Sequence, residues 1–117
     1  MSSEQVREVL TYGEYFSDFY RKLDKKARLK VDWTINLLET FEIVPTKYFK
    51  YLTGTDGIWE IRVEYASNIY RILCFFDQGK LIVVTNVFQK KTQKTPKTEI
   101  ERALRLKKQY FDEKEQG

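Results

Sequence analysis

Residues 58–88 read IWEIRVEYASNIYRILCFFDQGKLIVVTNVF, and this stretch decides the fold. Apolar and charged side chains alternate over Ile58–Tyr65, which is typical of a strand. The runs Ile69–Phe76 and Leu81–Phe88 are almost continuously apolar, as in central strands that are covered on both faces. The connections between the three segments, a turn at Ala66-Ser67 and the four residues 77–80, are short enough for hairpins. The stretch therefore predicts three strands in an antiparallel meander.

The segments on either side of the meander have helical periodicity. Apolar residues recur at helical spacing from Tyr15 to Leu23 and again from Ala27 to Leu38. The short separation between these two stripes predicts an antiparallel helix pair. A third apolar stripe, from Ile100 to Phe111, predicts a C-terminal helix.

The remaining elements are predicted from their boundaries. A short strand is expected at Val6–Leu10, and Pro96 is expected to open the last helix, with Thr95 or Thr98 as its cap. The predicted order is β-α-α-β-β-β-α. We therefore expect an α+β fold in a single domain over residues 1–117: an antiparallel sheet, two N-terminal helices and a C-terminal helix, with the helices mainly on one face.

The positive charge is concentrated near the C-terminus. The chain has 117 residues and a net charge of +4, and the twelve basic and twelve acidic residues of positions 1–89 cancel. Residues 90–108 carry eight basic against two acidic side chains, an excess of six positive charges. Such a block indicates a polyanion as partner, or a solvated lysine-rich helix face.

Composition excludes several kinds of site. Histidine is absent, which removes the commonest metal ligand and every Ser-His-Asp or Cys-His arrangement. The single cysteine, Cys74, excludes an intrachain disulfide and falls short of a zinc cluster. No apolar run has the length of a membrane span, and residues 1–5 lack the pattern of a signal peptide. We expect a cytoplasmic protein that does not enter membranes.

Two arginines interrupt the predicted meander. A two-residue turn at Ala66-Ser67 places Arg62 directly opposite Arg71 on one face of the sheet. Like charges in that arrangement destabilise a sheet. Either an anion lies between them, or Glu60 and Glu64 neutralise the pair in an Arg–Glu network.

The following strand extends this candidate site. A turn over Gln78-Gly79 places Asn86 opposite Arg71, and the strand continues into the basic segment 88–96. Arginine, lysine, amide and hydroxyl side chains together form a phosphate-binding surface. Aromatic rings beside it, such as Tyr65, can stack bases, which favours single-stranded RNA as ligand. The candidate RNA-binding residues are Lys90, Asn86, Gln89, Gln93 and Tyr65.

Three strings of this sequence resemble a known family. They are GIWEIRVE at residues 57–64, NIYRI at 68–72 and FQKKTQKTP at 88–96. In order and spacing they are similar to the RelE/HigB toxin superfamily, and specifically to its phage-derived, Gp-type host-killing branch. The resemblance extends over essentially the whole chain.

The resemblance implies a RelE-like fold and a toxin of a type II toxin–antitoxin system. Such toxins are metal-independent endoribonucleases that cut messenger RNA in the A site of the 30S ribosomal subunit. No cofactor is implied. The cognate antitoxin is expected to be a helix-turn-helix, HigA-like protein. In the family's chemistry a ribose 2′-hydroxyl attacks the adjacent phosphate.

The resemblance also suggests roles for individual residues. Arg62 matches a basic residue of the family, and Arg71 matches the arginine expected to hold the scissile phosphate. Lys91 matches the basic position after the last strand of the motif, and Lys94 lies in the same segment. Where other members carry a lysine before the second-strand basic residue, this chain has Glu60.

The chain departs from the family at the proton-transfer group. Relatives use a histidine or a C-terminal tyrosine, and neither has a counterpart here. Glu60 could act as a general base if its pKa were raised, or as a structural partner of Arg62. Lys91 or Lys94 is the other candidate. The alternatives to an endoribonuclease are a module that binds RNA, the ribosome or the antitoxin without cleavage, and a purely structural interaction domain.

Overall fold

The computed structural model describes residues 5–90 and 94–117. In these ranges it contains five strands and three helices in one α+β arrangement. The elements are β1 (Glu8–Thr11), α1 (Tyr15–Lys22), α2 (Lys25–Thr40), β2 (Phe49–Tyr51), β3 (Trp59–Tyr65), β4 (Asn68–Phe76), β5 (Leu81–Gln89) and α3 (Lys97–Gln116).

The predicted meander is confirmed as β3, β4 and β5, and two further strands extend it. The strand order across the sheet is β1-β5-β4-β3-β2. β1 pairs with β5 in parallel and β2 pairs with β3 antiparallel, so the sheet is mixed. The sequence did not reveal β2, because a strand of only three residues is too short to show alternation.

The helices lie on both faces of the sheet, not mainly on one. Ile72 and Cys74 pack in one core cluster with Val31 and Leu38 of α2. Leu73 and Phe75, which alternate with them along β4, pack in a second cluster with α3. The sequence of β4 is almost continuously apolar because both faces of the strand are covered.

Side chains close the two ends of α2. At its beginning the carboxylate of Asp24 accepts a hydrogen bond from the backbone N–H of Ala27. At its end the guanidinium of Arg7 donates to the carbonyls of Leu38, Phe41 and Glu42, at 2.8–2.9 Å. The last carbonyls of a helix have no intrahelical partner, so Arg7 satisfies them and joins α2 to the start of β1.

A β-bulge interrupts the pairing of β4 with β5. Ile72 pairs with Val87, and Cys74 pairs with Val84. One residue of β4 therefore faces two residues of β5, Thr85 and Asn86. This extra residue shifts the register of the rest of β5.

Asp77, at the end of β4, anchors the far end of α3. Its carboxylate accepts hydrogen bonds from the Tyr110 hydroxyl at 2.7 Å and the Lys114 ammonium at 2.8 Å. The hydrogen bonds from Lys114 and Tyr110 lower the pKa of Asp77, and the same contact raises the pKa of Tyr110 to about 12. The ionised form of Asp77 therefore stabilises the docking of α3.

Within residues 5–90 and 94–117, none of the helices combines the length and the apolar character that crossing a bilayer requires.

We expect Asp77→Asn to lower the melting temperature at neutral pH. The variant's melting temperature should also change less than that of wild type as the pH falls. Because the folded-state pKa of Asp77 lies below its ordinary value of about 3.9, its stabilisation is present above that value and is lost as the pH falls through the folded-state pKa. Thermal unfolding between neutral pH and pH ~2 measures this. Asp112→Asn is the matched control, because its pair with Lys108 is exposed. Parallel curves for wild type and Asp77→Asn would contradict the assignment.

Candidate functional site

The predicted pairing of the two arginines is confirmed. Arg62 and Arg71 are direct partners in the β3–β4 ladder. The turn between them is tight, and its residue Ala66 adopts a positive φ of 55°. Glu60 pairs with Leu73, which packs under α3, so alternation places Glu60, Arg62 and Arg71 on the α3 face.

Glu60 makes this pairing of like charges possible. Its side chain is 1% exposed, and its Oε1 lies 2.9 Å from Arg62 Nε and 3.2 Å from Arg71 Nε. Its Oε2 accepts a hydrogen bond of 2.6 Å from the Thr95 hydroxyl. Both carboxylate oxygens are therefore engaged, which favours the structural role that we considered for Glu60 over the role of general base.

Arg71 has a buried donor without a partner. Its side chain is 6% exposed, and within the described part of the chain its Nη1 is buried and lacks a hydrogen-bond partner. Burial lowers the pKa of Arg71, and the charge of Glu60 opposes this effect. An unsatisfied buried donor on a guanidinium costs about 1–3 kcal/mol, and an anion bound there would remove that cost.

Lys90 adds a third positive charge. It follows β5 directly, and its backbone N–H donates to the carbonyl of Ile69 at 2.7 Å. Its side chain is half-buried. Burial lowers the pKa of Lys90, and the positive charges of Arg71 and Arg62 lower it further. Lys90 therefore belongs to the same electrostatic cluster as the two arginines.

Thr95 joins the basic segment to this cluster. We expected Thr95 or Thr98 to cap α3, but Pro96 is the N-cap residue, and no side chain in the part of the chain that the structure describes caps this helix. The Thr95 hydroxyl instead donates to Glu60, across 35 positions of sequence. The expectation was wrong because a buried carboxylate competes for this hydroxyl, and the sequence does not show that proximity.

Asn86 does not face Arg71. The β4–β5 turn has three residues, 78–80, where we expected two, and the bulge adds one further position, so Phe88 lies opposite Arg71. Asn86 is fully buried; its Nδ2 donates to the backbone carbonyl and the carboxylate of Glu99, and its Oδ1 accepts from Thr85. Asn86 thus positions the start of α3 and cannot reach an RNA ligand.

The other predicted residues lie in different places. Gln89 is exposed and donates to the side chain of Asn68. Lys94 is exposed as well, whereas Lys91 and Gln93 lie outside the described residues. Tyr65 lies on the α1–α2 face, because it shares the alternation of Ile61 and Val63. The structure therefore brings together Glu60, Arg62, Arg71, Lys90 and Thr95, which we call the arginine cluster.

The donor chemistry of the arginine cluster suits a phosphate. Guanidinium groups bind phosphate oxygens through planar, charge-assisted hydrogen bonds. Nowhere in residues 5–90 and 94–117 is a group of three or more cysteine, aspartate or glutamate side chains placed to hold a metal ion.

We expect Glu60→Gln to lower the free energy of unfolding by about 3–5 kcal/mol, because breaking a buried ion pair leaves an uncompensated charge. Urea unfolding measures the change. The double variant Glu60→Gln/Arg71→Gln removes one of the two arginine charges as well, so it should recover part of the loss. If the loss of unfolding free energy in the double variant equalled the sum of the losses in the two single variants, Glu60 would not be the partner that holds Arg71.

Comparison with known proteins gives the family. The model of the family described as phage-derived protein Gp49-like (DUF891) matches residues 18–108, which is more than half of the chain and contains the whole arginine cluster. No curated protein matches the sequence. The chain therefore belongs to the Gp49-like family of phage-derived proteins, a family associated with RelE/HigB-like toxins of toxin–antitoxin systems.

Proposed function

We propose that this protein is the toxin of a type II toxin–antitoxin pair and acts as a ribosome-dependent endoribonuclease on messenger RNA. The observation that carries the proposal is a cluster of three cations in which Nη1 of Arg71 is buried and has no hydrogen-bond partner among the described residues. A scissile phosphate there would accept hydrogen bonds from Arg71 and Arg62, whose side chain is 25% exposed. The family of the chain supports the same assignment.

The proposed reaction rearranges a phosphodiester without adding water. The 2′-oxygen forms a bond to the adjacent phosphorus, and the bond from phosphorus to the 5′-oxygen breaks. The products are a 2′,3′-cyclic phosphate and a free 5′-hydroxyl, so the proton lost by the 2′-hydroxyl is balanced by one gained at the 5′-oxygen. The two guanidinium groups stabilise the negative charge that develops on the phosphoryl oxygens.

Lys90 is the proposed proton donor to the 5′-oxygen. Glu60 is engaged through both oxygens, and the chain has no histidine. The lowered pKa of Lys90 makes its ammonium a better acid than that of an ordinary lysine. Lys91 or Lys94 remains the candidate for the group that accepts the proton of the 2′-hydroxyl.

The proposal includes the partners and the location that the family implies. A helix-turn-helix, HigA-like antitoxin would hold the toxin inactive, and the target would be messenger RNA in the A site of the 30S subunit, in the cytoplasm. The alternative function is a module that binds RNA or the antitoxin without cleaving. The engagement of both Glu60 oxygens favours this alternative, because it makes Glu60 unsuited to act as general base.

We expect production of the wild-type protein alone to arrest growth, and Arg71→Ala to relieve the arrest. In a translation extract programmed with a defined message, primer extension should detect new 5′ ends with wild type. With Arg71→Ala their rate of appearance should fall by about a hundredfold or more, as on loss of one transition-state donor. Omission of ribosomes should abolish the new ends.

Arg105→Ala is the matched control, because Arg105 is an exposed arginine of α3 outside the arginine cluster. Arg71→Lys tests whether charge alone suffices, and circular dichroism checks that each variant is folded. An Arg71→Ala variant that still arrests growth would contradict the proposal. Wild-type protein that binds the programmed ribosome and produces no new ends would establish the non-catalytic alternative.

We expect Lys90→Arg to retain RNA binding and to lower the cleavage rate by about a hundredfold or more, because arginine keeps the charge and does not release a proton. The rate of wild type should fall as the pH rises through the pKa of Lys90, at a pH below the ordinary lysine value of about 10.4. The pH–rate profile of Lys90→Arg should lack this decline. Lys94→Arg is the comparison variant. Wild-type rates in Lys90→Arg would show that Lys90 supplies charge only.

A further inference from the structure

One side of α2 carries exposed apolar side chains among lysines. Lys26, Leu29, Lys30 and Trp33 follow one another at helical spacing, so they share a face. Leu29 is 57% exposed and Trp33 is 47% exposed. With Tyr65 of β3 they line an open cleft of about 470 Å³. Apolar surface of this kind, rimmed by polar groups, usually marks an interaction site.

A second, smaller cleft connects this surface to the arginine cluster. It has a volume of about 130 Å³ and is lined by Lys30, Lys47, Tyr48, Arg62 and Glu64. It shares Lys30 with the first cleft and Arg62 with the arginine cluster. The two clefts therefore run around the edge of β3, where β2 pairs only with Trp59–Ile61, and lead from one face of the sheet to the other.

Cations and aromatic rings lie next to each other along these clefts. Lys30 Nζ lies 4.6 Å from the ring centroid of Trp33, and Lys47 Nζ lies 5.6 Å from that of Tyr48. The rings of Trp33 and Tyr48 meet edge to face, with centroids 5.5 Å apart. We call Lys26, Lys30, Trp33, Lys47, Tyr48 and Tyr65 the aromatic–lysine track.

We propose that the aromatic–lysine track holds the nucleotides that flank the phosphate bound by Arg62 and Arg71. In this arrangement the lysines contact phosphates of single-stranded RNA, and the rings of Trp33, Tyr48 and Tyr65 stack against bases. Positively charged grooves with aromatic platforms are the usual means of binding single strands. The inference rests on the proposed function, because it extends the RNA site.

Charge and continuity select RNA over an acidic protein segment as the occupant. Three lysines and Arg62 line the two clefts against one carboxylate, that of Glu64. Either polyanion would satisfy this charge. A nucleic acid strand, however, carries phosphates at regular intervals, so one strand would place a phosphate at the arginine cluster and continue along the clefts that begin at Arg62.

The test compares two single-stranded RNAs of different length, both carrying 2′-O-methyl groups so that they are bound and not cleaved. A trinucleotide occupies the arginine cluster alone, whereas a dodecamer also covers the track. We expect Trp33→Ala and the double variant Lys26→Gln/Lys30→Gln each to weaken dodecamer binding by about tenfold, and to leave trinucleotide binding unchanged. For the dodecamer, the salt dependence of the double variant should decrease by about 0.7 per lysine removed.

Two substitutions at Trp33 separate stacking from general apolar contact. Trp33→Phe keeps a π-face and should restore most of the affinity for the dodecamer, whereas Trp33→Leu keeps apolar area and should not. The double variant Lys80→Gln/Lys108→Gln is the matched control, because both lysines are exposed and lie outside the track. Its affinity and salt dependence should stay close to those of wild type.

The outcomes distinguish this inference from the proposed function. If wild type binds both RNAs and the track variants bind the dodecamer as wild type does, the track inference is overturned and the RNA site at the arginine cluster stands. An acidic protein segment as the true occupant would give this same result. If wild type binds neither free RNA, the track inference is overturned, whereas the proposed function is decided separately by cleavage of the message on programmed ribosomes.

Discussion

One buried carboxylate, that of Glu60, allows two arginines to occupy facing positions on adjacent strands. It lies between their Nε atoms and also accepts the hydroxyl of Thr95, so it joins β3, β4 and the segment before α3 at a single point. Buried ion pairs recover little more than the cost of their desolvation, and apolar residues of similar volume often serve stability as well or better. Stability alone therefore explains the grouping of Glu60, Arg62 and Arg71 poorly. This grouping is consistent with the proposed role, in which the guanidinium groups are held in a fixed, partly dehydrated arrangement for a phosphate.

The sequence predicted the parts of the fold that depend on local pattern. Alternation in β3 and the two-residue turn at Ala66-Ser67 were enough to pair Arg62 with Arg71, because register follows directly from turn length in a hairpin. The continuous apolar runs of β4 and β5 likewise predicted strands covered on both faces, although they did not show which helix covers which face.

The site was harder to predict, because its details depend on distant contacts. The bulge at Thr85-Asn86 has no local signal, and together with a β4–β5 turn of three residues it puts Phe88, and not Asn86, opposite Arg71. The bond from Thr95 to Glu60 joins residues 35 positions apart. The cleft from Arg62 to α2 depends on how far β2 extends along β3, and β2 is too short to recognise in the sequence. Periodicity reports which face a residue occupies, and it does not report which side chains meet at an edge.

The bulge also makes the effect of a deletion in β5 depend on its position. Val83 and Phe88 both lie on the α3 side although an odd number of positions separates them, so the two halves of the strand are in opposite phase. Loss of one bulge residue, Thr85 or Asn86, would restore a regular ladder and leave every later side chain on its present face. Loss of one residue between the bulge and Lys90 would instead turn the later side chains over, so that Lys90 would point away from the arginines. Homologous sequences can therefore lose a residue at the bulge, whereas a deletion after it would dismantle the cluster without altering any of its members.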